Sequence, residues 1–166
     1  MSFSFENLTE KAAEIVKESL DLAKEHGHSQ VTPQHIAQAM LENKDGYTKN
    51  ILTRAGGDPV HALGEIKRLV QKMPSQTPPP PGGPSVTQSF LKVFSDAEIL
   101  QTKTEDSFLA VDMILLALLN VKEILQTFAV SKSAIEEAVK QVRGSNKVSS
   151  RSAESSFDSL AKFDID

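Results

Sequence analysis

Apolar positions along this chain return at helical spacing, and the same spacing appears twice. Ala12, Ile15, Val16, Ser19, Leu22 and Ala23 fall on one face of a helix, with charged residues filling many of the intervening positions. Phe90, Val93, Phe94, Ala97 and Leu100 repeat the arrangement later in the chain. Leu63, Ile66, Leu69, Val70 and Met73 predict a further amphipathic helix, and Ile135, Ala138, Val139 and Val142 another. Residues 111–119 are apolar on nearly every side, which in a helix means burial over most of its circumference. No segment alternates with period two and β-branched residues do not cluster, so the pattern predicts an all-α fold.

Helix boundaries follow from capping chemistry. Asn7 with Glu10 reads as a capping box for the first helix, and Ser85 with Gln88 as the opening of the long helix in the second half. Thr32-Pro33 and Asp58-Pro59 each join a capping oxygen to a proline at the first helical position, where the missing N–H costs nothing. Gly144 closes the last helix.

The pattern is an internal repeat. Sliding the chain on itself by 78 residues sets Leu8-Thr9 over Val86-Thr87, Leu22 over Leu100, Ser29 over Ser107, and residues 36–41 over 114–119. Further on the offset falls to 73, and Lys49-Asn50-Ile51-Leu52 lies over Lys122-Glu123-Ile124-Leu125. A shorter loop in the second copy accounts for the change. The prediction is eight helices in two pseudo-symmetric four-helix repeats around one shared core, with the seam or groove between copies a natural place to receive a partner.

Proline and serine punctuate the chain. Pro74 and the run Pro78-Pro79-Pro80-Pro81-Gly82-Gly83-Pro84 exclude helix and central strand, so residues 75–84 connect repeat one (8–74) to repeat two (85–144) within one domain of residues 1–144. Residues 145–156 are serine-rich and nearly free of apolar side chains, which predicts a flexible linker. Residues 157–166, with Phe157, Leu160, Phe163 and Ile165, are apolar again and read as the truncated beginning of a further domain.

Composition narrows the function. At 166 residues and 39% hydrophobic, the chain is large enough for one compact domain. A formal charge of -4 without a long Lys/Arg run argues against a nucleic-acid partner. The absence of cysteine removes disulfides, thiolate metal sites and thiol nucleophiles, and fits a reducing compartment. Residues 113–119 are too short an apolar run to span a bilayer, and residues 1–7 lack the regions of a signal peptide, so a soluble cytoplasmic protein with no membrane partner is expected.

Catalytic chemistry is not indicated. There is no phosphate-cradling glycine loop, so no cofactor is expected in this chain, and no serine stands in a nucleophile elbow. His26, His28 and His35 lie close in sequence without an acidic ligand spaced to join them, and read as solvated turn histidines and one packed helix histidine. Asp106 and Asp112, six residues apart, read as a capping residue and a surface charge. The apolar surplus of residues 111–119, with Phe90, Leu91, Phe94 and Ile99 nearby, is either a wholly buried helix or the wall of an open groove. Such a groove with acidic rim residues would take extended peptide bearing Leu, Val, Phe and basic side chains.

Leu8-Thr9-Glu10-Lys11-Ala12, Thr32-Pro33-Gln34-His35-Ile36, Asp106-Ser107-Phe108-Leu109 and Val142-Arg143-Gly144 together resemble the twofold-repeated N-terminal domain of the ClpB-type hundred-kilodalton heat-shock disaggregases. The resemblance covers residues 8–144 with both repeats in register, a double Clp N repeat. Residues 160–166 also resemble the family's lead-in to its first ATPase domain, and the proline-rich connector is more like cytosolic eukaryotic members than bacterial ones. The resemblance implies capture of unfolded or aggregated protein, and of apolar peptides, for a homohexameric motor working with co-chaperones. ATP and Mg would belong to ATPase domains absent from this chain, which would itself be a monomer without enzymatic activity. By motif the implied substrate-binding residues are Thr9, Asp106 and Asp112, the last an aspartate where the family commonly has glutamate. Phe94, Leu100 and Met113 are the implied apolar groove positions. The alternative is the related domain of a protease-associated Clp unfoldase, where the double repeat receives an adaptor protein.

Overall fold

A computed structural model of the chain describes residues 5–153. A 3-10 turn, Phe5–Asn7, is followed by α1 (Glu10–Glu25), β1 (Gln30–Val31), α2 (Pro33–Glu42), α3 (Tyr47–Arg54) and α4 (Pro59–Gln71). The second half follows the same plan with β2 (Ser85–Val86), α5 (Gln88–Thr104), α6 (Val111–Leu118), α7 (Lys122–Phe128) and α8 (Lys132–Arg143). Among the described residues the all-α, eight-helix expectation holds, with two-residue strands too short to leave a periodic trace in the sequence.

Those strands correct two of the expected helix starts. Leu8 bridges Leu109, and Val86 pairs with Val31, so the residues just before each long helix are held extended. The caps therefore fall two residues later, on Thr9 and Thr87, instead of on Asn7 and Ser85. Thr9 Oγ1 accepts from the Ala12 N–H at 3.1 Å and Thr87 Oγ1 from the Phe90 N–H at 3.1 Å. Pro33 and Pro59 open α2 and α4 as expected, and the Asp58 carboxylate caps α4.

The pseudo-symmetry exchanges the halves. Thr9 N–H donates to the Leu109 carbonyl at 3.0 Å, and its counterpart Thr87 N–H donates to the Val31 carbonyl at 3.3 Å. Each repeat thus supplies the strand that receives the other's long helix. The same exchange governs packing: α3 lies on α8 and α4 on α7, while α2 and α6 meet where the halves join. One continuous core results, with Ile36, Met40 and Leu41 of repeat one beside Phe90, Phe94 and Ile114 of repeat two, all essentially inaccessible.

Residues 145–153 depart from the flexible-linker expectation. Val148 is fully buried, its carbonyl accepts from the Ser107 N–H at 2.8 Å, and its N–H donates to Asp106 Oδ1 at 2.9 Å. Arg151 then donates to the Leu8 carbonyl at 3.2 Å and lies 5.0 Å from the centre of the Phe108 ring. A single apolar anchor in a serine-rich run leaves no periodic signal. The lead-in at residues 157–166 lies outside the described residues.

Candidate functional site: an apolar groove on repeat two

Helices α5, α6 and α8 enclose an open groove of about 330 Å³. Leu100, one turn beyond the last fully buried residue of α5, remains half-buried and forms part of its lining. Because α6 is apolar around its circumference, Ile114 and Leu118 can fill the core while Met113 and Leu116 still line the groove. Val139 of α8 completes the apolar floor. The rim is cationic: Lys103, Lys140 and Lys147 are exposed around it, against one acidic residue, Glu136. That reverses the acidic rim expected from the sequence.

Below one wall lies a buried ionic cluster. Arg143, at the end of α8, lines the groove and directs its guanidinium inward. Its Nε and Nη2 donate to the two Asp112 carboxylate oxygens at 2.8 Å each, and Nη1 donates to Asp106 Oδ2 at 2.5 Å. Asp106 is satisfied further by the Thr104 hydroxyl at 2.8 Å and the Val148 N–H at 2.9 Å. Burial pushes the Asp112 carboxyl above the usual carboxylate range, and the Arg143 guanidinium opposes that rise. Burial also disfavours the Arg143 charge, but Asp112 and Asp106 outweigh it and hold the guanidinium protonated.

The residues singled out from the sequence therefore separate into two groups. Leu100 and Met113 line the groove, whereas Phe94 is a core residue with its ring centre 5.1 Å from that of Phe90. Thr9 is a buried helix cap. Asp106 and Asp112 are not a loop cap and a surface charge; both are buried, and they lie behind groove-lining partners, Arg143 for both and Thr104 for Asp106. Sequence reasoning missed Arg143 as a site residue although a signal existed. It lies four residues after Val139 and beside Val142, on the edge of the α8 apolar face, where a cation needs carboxylate partners.

Repeat one has a counterpart groove of about 260 Å³ in the symmetry-related place, but its chemistry differs. Leu22 stands where repeat two has Leu100, Glu25 where it has Lys103, and Gln38 where it has Leu116. Nearby, His35 occupies the position of Met113. His28 is buried, contrary to the solvated-turn expectation, and its Nδ1 lies 2.9 Å from His35 Nε2. The Thr32 N–H donates to His35 Nδ1 at 2.9 Å, so the His35 proton sits on Nε2 and points at His28. Burial pushes His35 down to about 4 and lowers His28 as well. Among the described residues no group of three or more His, Cys, Asp or Glu side chains is placed to hold a metal ion.

Fold and groove together define a tandem four-helix-repeat domain with an apolar groove on repeat two. The family model described as the Clp repeat (R) N-terminal domain matches residues 7–132, and the chain belongs to that family. Heat shock protein 104 of Schizosaccharomyces pombe is 34% identical over 95% of this chain, and the chaperone protein ClpB of Brucella suis is 30% identical over 96%. The chain spans only 18% and 19% of those relatives. The crystal structure of the Hsp104 N-terminal domain from Candida albicans superposes with a TM-score of 0.80 at 30% identity, covering 89% of this chain and 99% of that domain. The N-domain of ClpV from Vibrio cholerae shares the fold at 16% identity, with a TM-score of 0.66 over 81% of this chain and 84% of that one.

Proposed function

We propose that this domain captures extended segments of unfolded or aggregated polypeptide in the α5–α6–α8 groove. It would deliver them to an ATP-driven hexameric motor formed by a longer, cytoplasmic chaperone. The observation that carries the reading is the apolar lining of this groove, where Leu100 stays half-buried and Met113, Leu116 and Val139, largely covered, form the floor beneath an opening of about 330 Å³. A shallow apolar floor accepts many side chains and binds each weakly, which suits a receptor that must recognise sequences it has not met before. Relatives named as heat shock and ClpB chaperones support the cellular role, and a ClpV N-domain of this fold has been seen in complex with a VipB peptide. In this reading Asp106 and Asp112 are positioning residues that fix Arg143 in the groove wall. Thr9 acts at a further remove, fixing the start of α1 against Leu109.

A titration with a peptide rich in Leu, Val and Phe tests the proposal. Amide resonances of Leu100, Met113 and Leu116 should shift, with an affinity in the micromolar range or weaker, at most about 8 kcal/mol. Leu116→Lys should abolish the shifts, and shifts confined to the far side of repeat one would overturn the assignment.

A further inference from the structure

The charge around this groove opposes that of the molecule. The chain carries a formal charge of -4, yet the repeat-two rim presents Lys103, Lys140 and Lys147 against Glu136 alone. The repeat-one groove, built from the same helix positions, presents Glu25 and Glu42 against Lys67. Two symmetry-related surfaces thus carry opposite signs within a single domain.

Among the described residues four lysines are neutralised by a neighbouring carboxylate, whereas the three around the groove, like several others, are not. Lys11 pairs with Asp45, Lys17 with Asp21, Lys67 with Glu42 and Lys92 with Asp96. Lys103 and Lys140 have no carboxylate partner among the described residues, and Lys147 donates to a neutral acceptor, the Thr104 carbonyl, at 3.0 Å. Their positive potential converges over a concave apolar surface, whose low-dielectric walls concentrate it toward whatever occupies the groove.

Resting on the peptide-binding reading above, we infer that the groove selects apolar side chains flanked by carboxylates. The occupant is an extended segment in which one or two Leu, Met or Phe residues sit on the floor. Aspartate or glutamate on either side reaches the rim lysines. Segments of the same apolar content flanked by lysine meet like charge and are rejected. The selectivity runs opposite to that of an acidic-rimmed groove.

The test uses three short peptides with one Leu-Phe-Leu centre, flanked by aspartate, serine or lysine, titrated onto the full chain. At low salt the aspartate peptide should bind roughly 5-fold tighter than the serine peptide, and the lysine peptide roughly 5-fold more weakly, as a few exposed charge pairs would give. The spread should collapse near ~0.5 M salt, where the screening length falls to a few ångströms. In the double variant Lys103→Glu, Lys140→Glu the order should reverse. Equal binding of all three peptides, a lysine peptide that binds tightest, or an unchanged order in the double variant would each overturn the charge inference and leave the groove reading standing. Failure of every peptide to shift Leu100 and Met113 would remove the groove reading and this inference with it. Should the double variant fold poorly, the salt dependence measured on the unaltered chain still decides.

Discussion

Arg143 meets Asp112 side-on, two parallel N–H donors on two carboxylate oxygens, with the pair buried in the groove wall. Buried pairs of this kind are costly to break, because the partner left behind keeps its charge without a counter-ion. Arg143→Met should therefore destabilise the domain by about 3–5 kcal/mol at neutral pH, read from chemical denaturation. The loss should shrink on acidification. Asp112 already has a burial-raised pKa, and removing the guanidinium raises it further. A carboxyl whose folded pKa exceeds its unfolded value contributes stability below the unfolded value and loses it as pH rises through the folded one. The gap between variant and parent should thus be smaller near pH 4.5 than near pH 7. A gap independent of pH would mean that Asp112 carries the same charge in variant and parent across that window.

That cluster marks the limit of what the sequence makes legible. The repeat, the eight helices and the core faces are readable because apolar periodicity is a local property, and Ile135, Ala138, Val139 and Val142 all prove buried. Leu100 and Met113 enter as groove positions through the family resemblance and not through periodicity, and Phe94, offered on the same footing, is a core residue. The Arg143 partners are not readable, because Asp106 and Asp112 lie 37 and 31 residues away and the chain must close before they meet. The caps at Thr9 and Thr87 are displaced by cross-repeat bridges that no local window contains. The rim charge is missed because Lys103, Lys140 and Lys147 come from two helices and a tail that looks like a linker.

The His28–His35 contact predicts an acid-sensitive fold. His35 holds its proton on Nε2, and a second proton would have to displace the Thr32 N–H from Nδ1. With a folded pKa of about 4, its contribution is fully present above the unfolded value near 6.5 and is lost as pH falls toward 4. The loss should reach about 3 kcal/mol across that window. His35→Gln keeps an acceptor for the Thr32 N–H and should flatten this limb while lowering stability slightly at pH 8. An acid limb of unchanged depth in the variant would place the titrating group elsewhere.

Ala129 predicts a stabilising substitution. It ends α7 in the left-handed region, with φ 57°, where its counterpart in repeat one, Gly56, has φ 90°. An L-residue with a Cβ pays about 1–2 kcal/mol for that conformation, and glycine returns part of the gain as chain entropy. Ala129→Gly should raise stability by about 0.5–1 kcal/mol, and a thermal melt should show it as a rise of a few degrees. The reverse change, Gly56→Ala, should destabilise by a similar amount. A Cβ there would touch nothing within 4 Å, so the cost is conformational alone.

The exchanged strands and helices predict that neither repeat folds alone. Repeat one without repeat two loses the Leu109 backbone bridge that holds the start of α1, the α7 surface that covers α4 and the α8 surface that covers α3. Repeat two loses the corresponding Val31 strand and the two helices facing its own. Each fragment would expose core side chains such as Ile51 and Ile66, or Ile124 and Val139, on a unit too small to compensate elsewhere. Separate chains of residues 1–75 and 85–166 should each show weak, non-cooperative melts by circular dichroism. Mixed together they should regain a sharp transition, because the connector contributes no core contacts. A cooperative melt of either fragment on its own would show that the repeats are independent folding units and that the shared core follows their assembly.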